Sequence, residues 1–192
     1  MDSAKFQRML GVTVDGVAGP VTWTAFFRKC GASKEMAPEF GRCAADHFTG
    51  FGITSNTLRL AHYTGELLHE SGTFRYMEEI ASGAAYEGRA DLGNTRPGDG
   101  KRYKGRGPIQ ITGRANYRDF GTIVGVDLEN HPERAAEPYI GLHVSLAFWR
   151  SRNLNAFADR DDIVSITRRI NGGTNGIADR RVQVAKVKGW LA

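Results

Sequence analysis

The chain has 192 residues, 41% of them hydrophobic and 10% aromatic, which is enough to bury a core and excludes a disordered polymer. Its formal charge of +5 favours acidic partners, but no Lys/Arg block is interleaved with aromatics, so nucleic acid is not expected as a partner. No stretch approaches the roughly 20 apolar residues of a membrane span, and stable membrane insertion is not expected.

The opening Met1-Asp2-Ser3-Ala4-Lys5-Phe6 lacks the basic-then-apolar layout of a secretory signal peptide. The protein is therefore expected to be made in the cytosol and to reach any extracellular target with outside help. Residues 6–10 read as a short helix, residues 11–19 as a turn, and Pro20 as the start of a helix carrying Trp23, Phe26 and Phe27. These three aromatics read first as core residues. Cys30 and Cys43 are the only cysteines, match no zinc spacing and read as buried, reduced, small apolar side chains. From Pro38 onward the pattern is mainly helical. Residues 39–48 and 56–70 carry apolar side chains at three- and four-residue spacing, as in Leu60, Thr64, Leu67 and Leu68.

Residues 83–107 break this pattern. Seven glycines and Pro97 fall there, a density that no regular helix survives, and a long irregular segment inside a compact domain is usually functional. Helical periodicity resumes near Arg114. One amphipathic helix is predicted over 132–150 with Ile140, Val144, Ala147 and Phe148 inward. Two shorter ones follow over 162–170 and 177–191, separated by Asn171-Gly172-Gly173. Strand signals are few and there is no internal repeat. The expected fold class is mostly α, with a small β-hairpin and a Gly-rich loop lining a substrate cleft.

Three features can carry chemistry. In His69-Glu70-Ser71-Gly72 an apolar helix meets a glycine, so the Glu70 carboxyl can project into a cleft, where partial burial would favour its protonated, proton-donating form. The pair is not a zinc motif, because Thr73 stands where a second histidine is needed. The second feature is the acidic set Glu78, Glu79 and Glu87. Glycoside hydrolysis uses two carboxyls across the scissile bond, and Glu66, one turn before Glu70 on the same helix face, cannot supply the second. The third is the stretch from Tyr103 to Tyr117. There Gln110 and Thr112 alternate with apolar residues, and would share one face of an extended segment suited to sugar hydroxyls and amides.

The string YKGRGPIQITGRANY resembles the signature of glycoside hydrolase family 19, which contains chitinases and many phage endolysins. AHYTGELLHESGTFRYMEE resembles that family's catalytic helix, and ITRRINGGTNGIADRR its Ile-Asn-Gly-Gly segment. The Glu-Ser-Gly variant is similar to the bacteriophage endolysin branch. Separately, FQRMLGVTVDGVAGPVTWTAF resembles part of a peptidoglycan-binding repeat. The expected division is thus 1–31, an N-terminal helical segment resembling that repeat, and 32–192, a lysozyme-like catalytic domain.

The resemblance implies roles for individual residues. Glu70 is the implied general acid, and Thr112 helps hold the catalytic water. Gln110, Asn116 and Asn171 bind the acetamido sugar, while Tyr103 and Arg180 line the cleft. The endolysin pattern puts the base nine residues after the acid, at Glu79, with Glu87 as the alternative. An inverting single displacement follows, with the two carboxyls about 6.5–9.5 Å apart. No metal or cofactor is implied. The expected partner is the peptidoglycan glycan strand, met by a monomer that leaves the host cytoplasm through a holin. The alternatives are a chitinase, a lytic transglycosylase and a non-catalytic cell-wall-binding protein.

Overall fold

The computed structural model describes residues 1–192. Ten α-helices make up the architecture. In chain order they are α1 (Ser3–Leu10), α2 (Pro20–Cys30), α3 (Met36–His47), α4 (Thr57–Glu70), α5 (Asp99–Arg102), α6 (Arg114–Val124), α7 (Pro138–Ser151), α8 (Leu154–Ala158), α9 (Ile163–Asn171) and α10 (Ile177–Leu191). Local chemistry sets their starts. The Asp2 side chain accepts the Lys5 N–H at the head of α1, Asn56 accepts that of Arg59 at α4, and Asp162 accepts that of Ser165 at α9. Pro20 and Pro138 occupy first-turn positions, where a missing N–H costs nothing.

The centre of the molecule is α4. Every residue from Leu60 to Leu68 is buried, so this helix has no solvated face along that stretch and behaves as a core element. Gly65 allows α10 to lie directly against it, since a Cβ there would come within 2.5 Å of Val184 Cγ2. Gly41 does the same for α2 and α3, where a Cβ would meet Thr24 Oγ1 at 2.3 Å.

One hydrophobic cluster of 37 buried residues runs from Phe6 to Val187. Its aromatic wall joins Trp23 to Phe48 (ring centroids 5.0 Å apart) and Phe27 to Phe74 (5.7 Å). Trp23, Phe26 and Phe27 are therefore core residues, and the core is continuous across the 31/32 division expected from the sequence. Truncating a buried aromatic such as Trp23 to Ala costs about 3–5 kcal/mol. Cys30 and Cys43 are both buried and free.

Two expectations need correction. Residues 132–150 do not form one helix. Pro132–Ala136 is a 3-10 turn, Glu137 is extended (ψ 131°), and α7 begins only at Pro138. Proline disfavours the helical conformation of the residue before it, which is Glu137. Nor is there a hairpin ladder. Two isolated antiparallel bridges, Glu78 with Arg106 and Arg106 with Ile111, are all that forms. Pro108 lacks an N–H to extend the pairing, and Gln110 is left-handed (φ 53°) rather than extended. The Gly-rich segment is irregular apart from α5 and short 3-10 turns at Ala84–Tyr86 and Ala90–Leu92. No helix is long and apolar enough to cross a membrane.

Candidate active site

Glu70 is the last residue of α4, and its half-buried carboxyl opens on a groove of about 270 Å³. Gln110, Thr112, Asn116 and Asn171 line the same groove as polar groups, with Leu92, Ile109, Ile111, Phe148 and Ile170 as apolar walls. Aromatic and aliphatic walls with a few convergent polar groups are the composition expected of a small-molecule or sugar site. A cavity of about 320 Å³ between α1 and the end of α10 is lined mainly by apolar side chains such as Met9 and Trp190, and lacks this convergence.

Beneath the groove sits Arg180 of α10, only 2% exposed. One of its terminal nitrogens donates to Glu66 and the other to Glu70, so a single guanidinium bridges two carboxyls one helical turn apart. Arg180 thus supports Glu70 from below instead of lining the cleft. Glu66 is fully buried, and its Oε1 has no hydrogen-bond partner. Burial pushes the Glu66 carboxyl up to about 7, against the opposing pull of Arg180. His69 adds a second tie between α4 and α10, its Nδ1 lying 2.6 Å from the Asp179 carboxylate. The imidazole packs on Gly176, where a Cβ would come within 2.4 Å of the ring and φ is 72°, so this position excludes a side chain.

After Glu70 the chain makes an uncommon turn. Gly72, Thr73 and Phe74 are all left-handed (φ 56°, 61° and 64°), a conformation that costs about 1–2 kcal/mol for each non-glycine residue. The turn is held because the Ser71 hydroxyl accepts the Phe74 N–H and donates to the Leu67 carbonyl, while the Phe74 ring is buried in the core.

Beyond the turn, Glu79 is fixed at four points. Its N–H donates to the Gly105 carbonyl (2.9 Å), and its carbonyl accepts from Lys104 Nζ (3.1 Å). Its carboxylate accepts the Gly105 N–H (3.0 Å) and the Tyr86 hydroxyl (3.1 Å). Gly105 lies between Glu79 and Gln110: a Cβ there would lie 2.8 Å from Gln110 Oε1 and 3.2 Å from Glu79 Oε2, while Glu79 itself is not among the residues that line the groove. Any larger residue would push apart Glu79 and the groove-lining Gln110. Glu87 is committed elsewhere, its two oxygens accepting the N–H groups of Gly98 (2.6 Å) and Gly100 (2.8 Å), which staples its own loop. Glu78 pairs with Lys104 at 2.8 Å, which lowers its carboxyl below the usual range.

The remaining polar groups brace one another. Gln110 Nε2 donates to the carbonyls of Tyr76 and Gly107, Asn116 Nδ2 to the Thr112 carbonyl, and Asn171 Nδ2 to that of Asn175. Tyr103 departs from expectation. It is buried between Tyr117 and the Arg114 guanidinium, with its hydroxyl donating to the Glu129 carbonyl, and does not line the Glu70 groove. Its backbone is tied as well, the Gly113 N–H donating to the Tyr103 carbonyl at 2.8 Å. Sequence reasoning missed Glu66 as Arg180's second partner, and missed Phe148 and Arg152 as wall residues. The inward periodicity read over 132–150 was a signal for Phe148 alone.

Comparison with known proteins places this geometry in context. The sequence profile described as Chitinase class I, of the glycoside hydrolase 19 type, matches residues 25–182. An endochitinase of Arabidopsis thaliana is 32% identical over 166 residues, covering 84% of this chain and 57% of the relative. A glycosyl hydrolase family 19 domain-containing protein of Haemophilus influenzae is 38% identical over 103 residues, 53% of this chain and 49% of the relative. The chain therefore spans about half to three-fifths of the length of the curated relatives it matches. Among solved structures, the class IV chitinase from Zea mays superposes with a TM-score of 0.64 at 23% identity, covering 99% of this chain and 90% of that one. Chitinase C from Streptomyces griseus gives 0.61 at 20%, covering 98% and 91%. At these identities the superpositions establish the fold.

Proposed function

Since the chain belongs to the glycoside hydrolase 19 family, chitinase class I, we propose that it is an endolysin that hydrolyses β-1,4 bonds of bacterial peptidoglycan through Glu70 and Glu79. What supports the reading is that Glu70 heads a groove lined by Gln110, Thr112, Asn116 and Asn171, with Glu79 close behind Gln110 across Gly105, while Glu87 accepts from Gly98 and Gly100 of its own loop. In this mechanism Glu70 protonates the bridging oxygen. Glu79 takes a proton from a water held with Thr112, and the water attacks the anomeric carbon from the opposite face. Gln110, Asn116 and Asn171 present amide groups to the acetamido substituents. Arg180 fixes the Glu70 side chain from below, and the formal charge of +5 draws the protein to an anionic wall.

A second reading is a chitinase acting on neutral N-acetylglucosamine polymers, favoured by the relatives, several of which are endochitinases. Product analysis separates the two. Purified peptidoglycan and a chitin oligomer are digested with the wild type, Glu70→Gln and Glu79→Gln, and the new reducing ends are identified by mass spectrometry. The expected outcome is peptidoglycan fragments with hydrated reducing ends, and at least about a 100-fold loss of turnover in either variant. Anhydro ends would make the protein a lytic transglycosylase. Undiminished lysis by Glu70→Gln would remove the enzymatic reading and leave a wall-binding protein.

A further inference from the structure

Only two charged side chains line the groove, Glu70 and Arg152. The Glu70 carboxyl already has a guanidinium partner in Arg180. Arg152 has no carboxyl partner. It follows the last turn of α7, with its guanidinium stacked 3.6 Å over the Phe148 ring, itself a groove wall. The guanidinium makes one hydrogen bond within the protein, from Nη1 to the Ser151 hydroxyl at 3.3 Å. A guanidinium carries five N–H donors in a planar fork. With the Phe148 ring beneath it and one bond to Ser151, the guanidinium of this groove-lining residue keeps most of its donors unspent.

This is an unusual place to leave a cation uncompensated. The side chain is partly buried, and burial alone pulls its proton affinity below the ordinary arginine value, with no nearby carboxylate to offset it. The other arginine at the site, Arg180, is also withdrawn from solvent but spends its donors on Glu66 and Glu70. A neutral polysaccharide offers this fork only hydroxyl and amide oxygens, which leave its charge uncompensated. A planar anion does, because carboxylate and guanidinium pair edge to edge through two parallel hydrogen bonds.

We propose that Arg152 is a specificity-determining residue of this groove, taking a carboxylate from the acidic peptide appended to a wall glycan and so selecting peptidoglycan over neutral chitin. The inference rests on the hydrolase reading given above and deepens it: the Glu70 end of the groove handles the glycosidic bond, and the Arg152 end reads the charge on the substrate. Loss of the carboxylate, or of the guanidinium, removes the same interaction.

The test compares soluble peptidoglycan fragments in native form with the same fragments after their carboxyls are converted to amides with carbodiimide and ammonium, alongside a chitin hexamer. Values of kcat/KM are measured for the wild type, Arg152→Gln and Arg152→Lys. The wild type is expected to prefer native over amidated fragments by about tenfold, the scale of one charge-assisted pair at a half-exposed site. That ratio falls to about one in Arg152→Gln and is partly kept in Arg152→Lys, which retains the charge without the fork. A wild-type ratio near one, or an unchanged ratio in Arg152→Gln, overturns the role of Arg152 while peptidoglycan hydrolysis stands. Cleavage of the chitin hexamer with no cleavage of either form of peptidoglycan overturns both. The wild-type comparison needs no variant, so misfolding of a mutant cannot obscure the result.

Discussion

Replacing Glu66 by Gln changes one atom in the most deeply buried ionisable group of the site. Arg180 of α10, Glu70 on its own helix and Thr167 of α9 are the groups that face Glu66. Two carboxyls share one guanidinium here, so ionising both leaves an uncompensated negative charge out of water. Burial raises the Glu66 carboxyl from 4.5 to about 7. Between those values the folded chain holds a proton that the unfolded chain has released, so stability falls as pH rises and the loss is complete above about 7. At 1.36 kcal/mol per unit the full loss is about 3 kcal/mol. Gln keeps the shape and an acceptor for Arg180 but never ionises. Glu66→Gln should therefore exceed the wild type by less than about 1 kcal/mol at pH 5 and by about 3 kcal/mol at pH 8, or ~6–12 °C in Tm for a chain of this size. Urea and thermal denaturation of both proteins at pH 5, 6, 7 and 8 measure the gap. A gap that stays constant across that range refutes the argument.

Glu79→Gln and Glu87→Gln should separate cleanly in turnover assays but not in stability assays. Each replaces a carboxylate oxygen that accepts a hydrogen bond and should cost about 1 kcal/mol of stability, but the first is expected to lose about 100-fold or more in kcat while the second retains most of its turnover. Gly65→Ala sets a Cβ 2.5 Å from Val184 Cγ2 and 2.9 Å from the Val184 backbone. It should cost about 1–3 kcal/mol in denaturant titration, and should lower activity by moving Arg180 with α10. His143 stacks on His47 with ring centroids 3.8 Å apart, and burial, His47 and Arg150 hold its imidazole down to about 4. The unfolded chain takes up a proton below about 6.5 that the folded chain refuses until about 4, so stability falls as pH drops through that interval. His143→Gln should flatten this acid limb in thermal scans from pH 7 to pH 4.

Most helices could be read from sequence because their signals are local. Asn56 and Asp162 cap where they stand, and the expected 177–191 helix coincides with α10. The errors arose where one backbone angle or one distant partner decides the outcome. Gln110 resembled a strand residue by alternation, yet its φ of 53° swings the chain around so that its side chain reaches the Tyr76 carbonyl. The family resemblance implied a cleft role for Tyr103, but its hydroxyl is claimed by the Glu129 carbonyl, 26 residues away. The Glu66–Arg180 contact joins residues 114 positions apart, and no local pattern announces it. Groove residues close in sequence, such as Gln110, Thr112 and Asn116, were the easier part to find.

Arg180 follows Glu70 by 110 residues. As the chain is synthesised, α4 and its two carboxyls exist long before the guanidinium that neutralises them. A chain interrupted ahead of α10 leaves Glu66 and Glu70 facing each other without a cation, and Gly65 without the helix that fits against it. The two carboxyls of α4 and the guanidinium of α10 thus form one unit, and neither helix alone holds the Glu70 side chain in place.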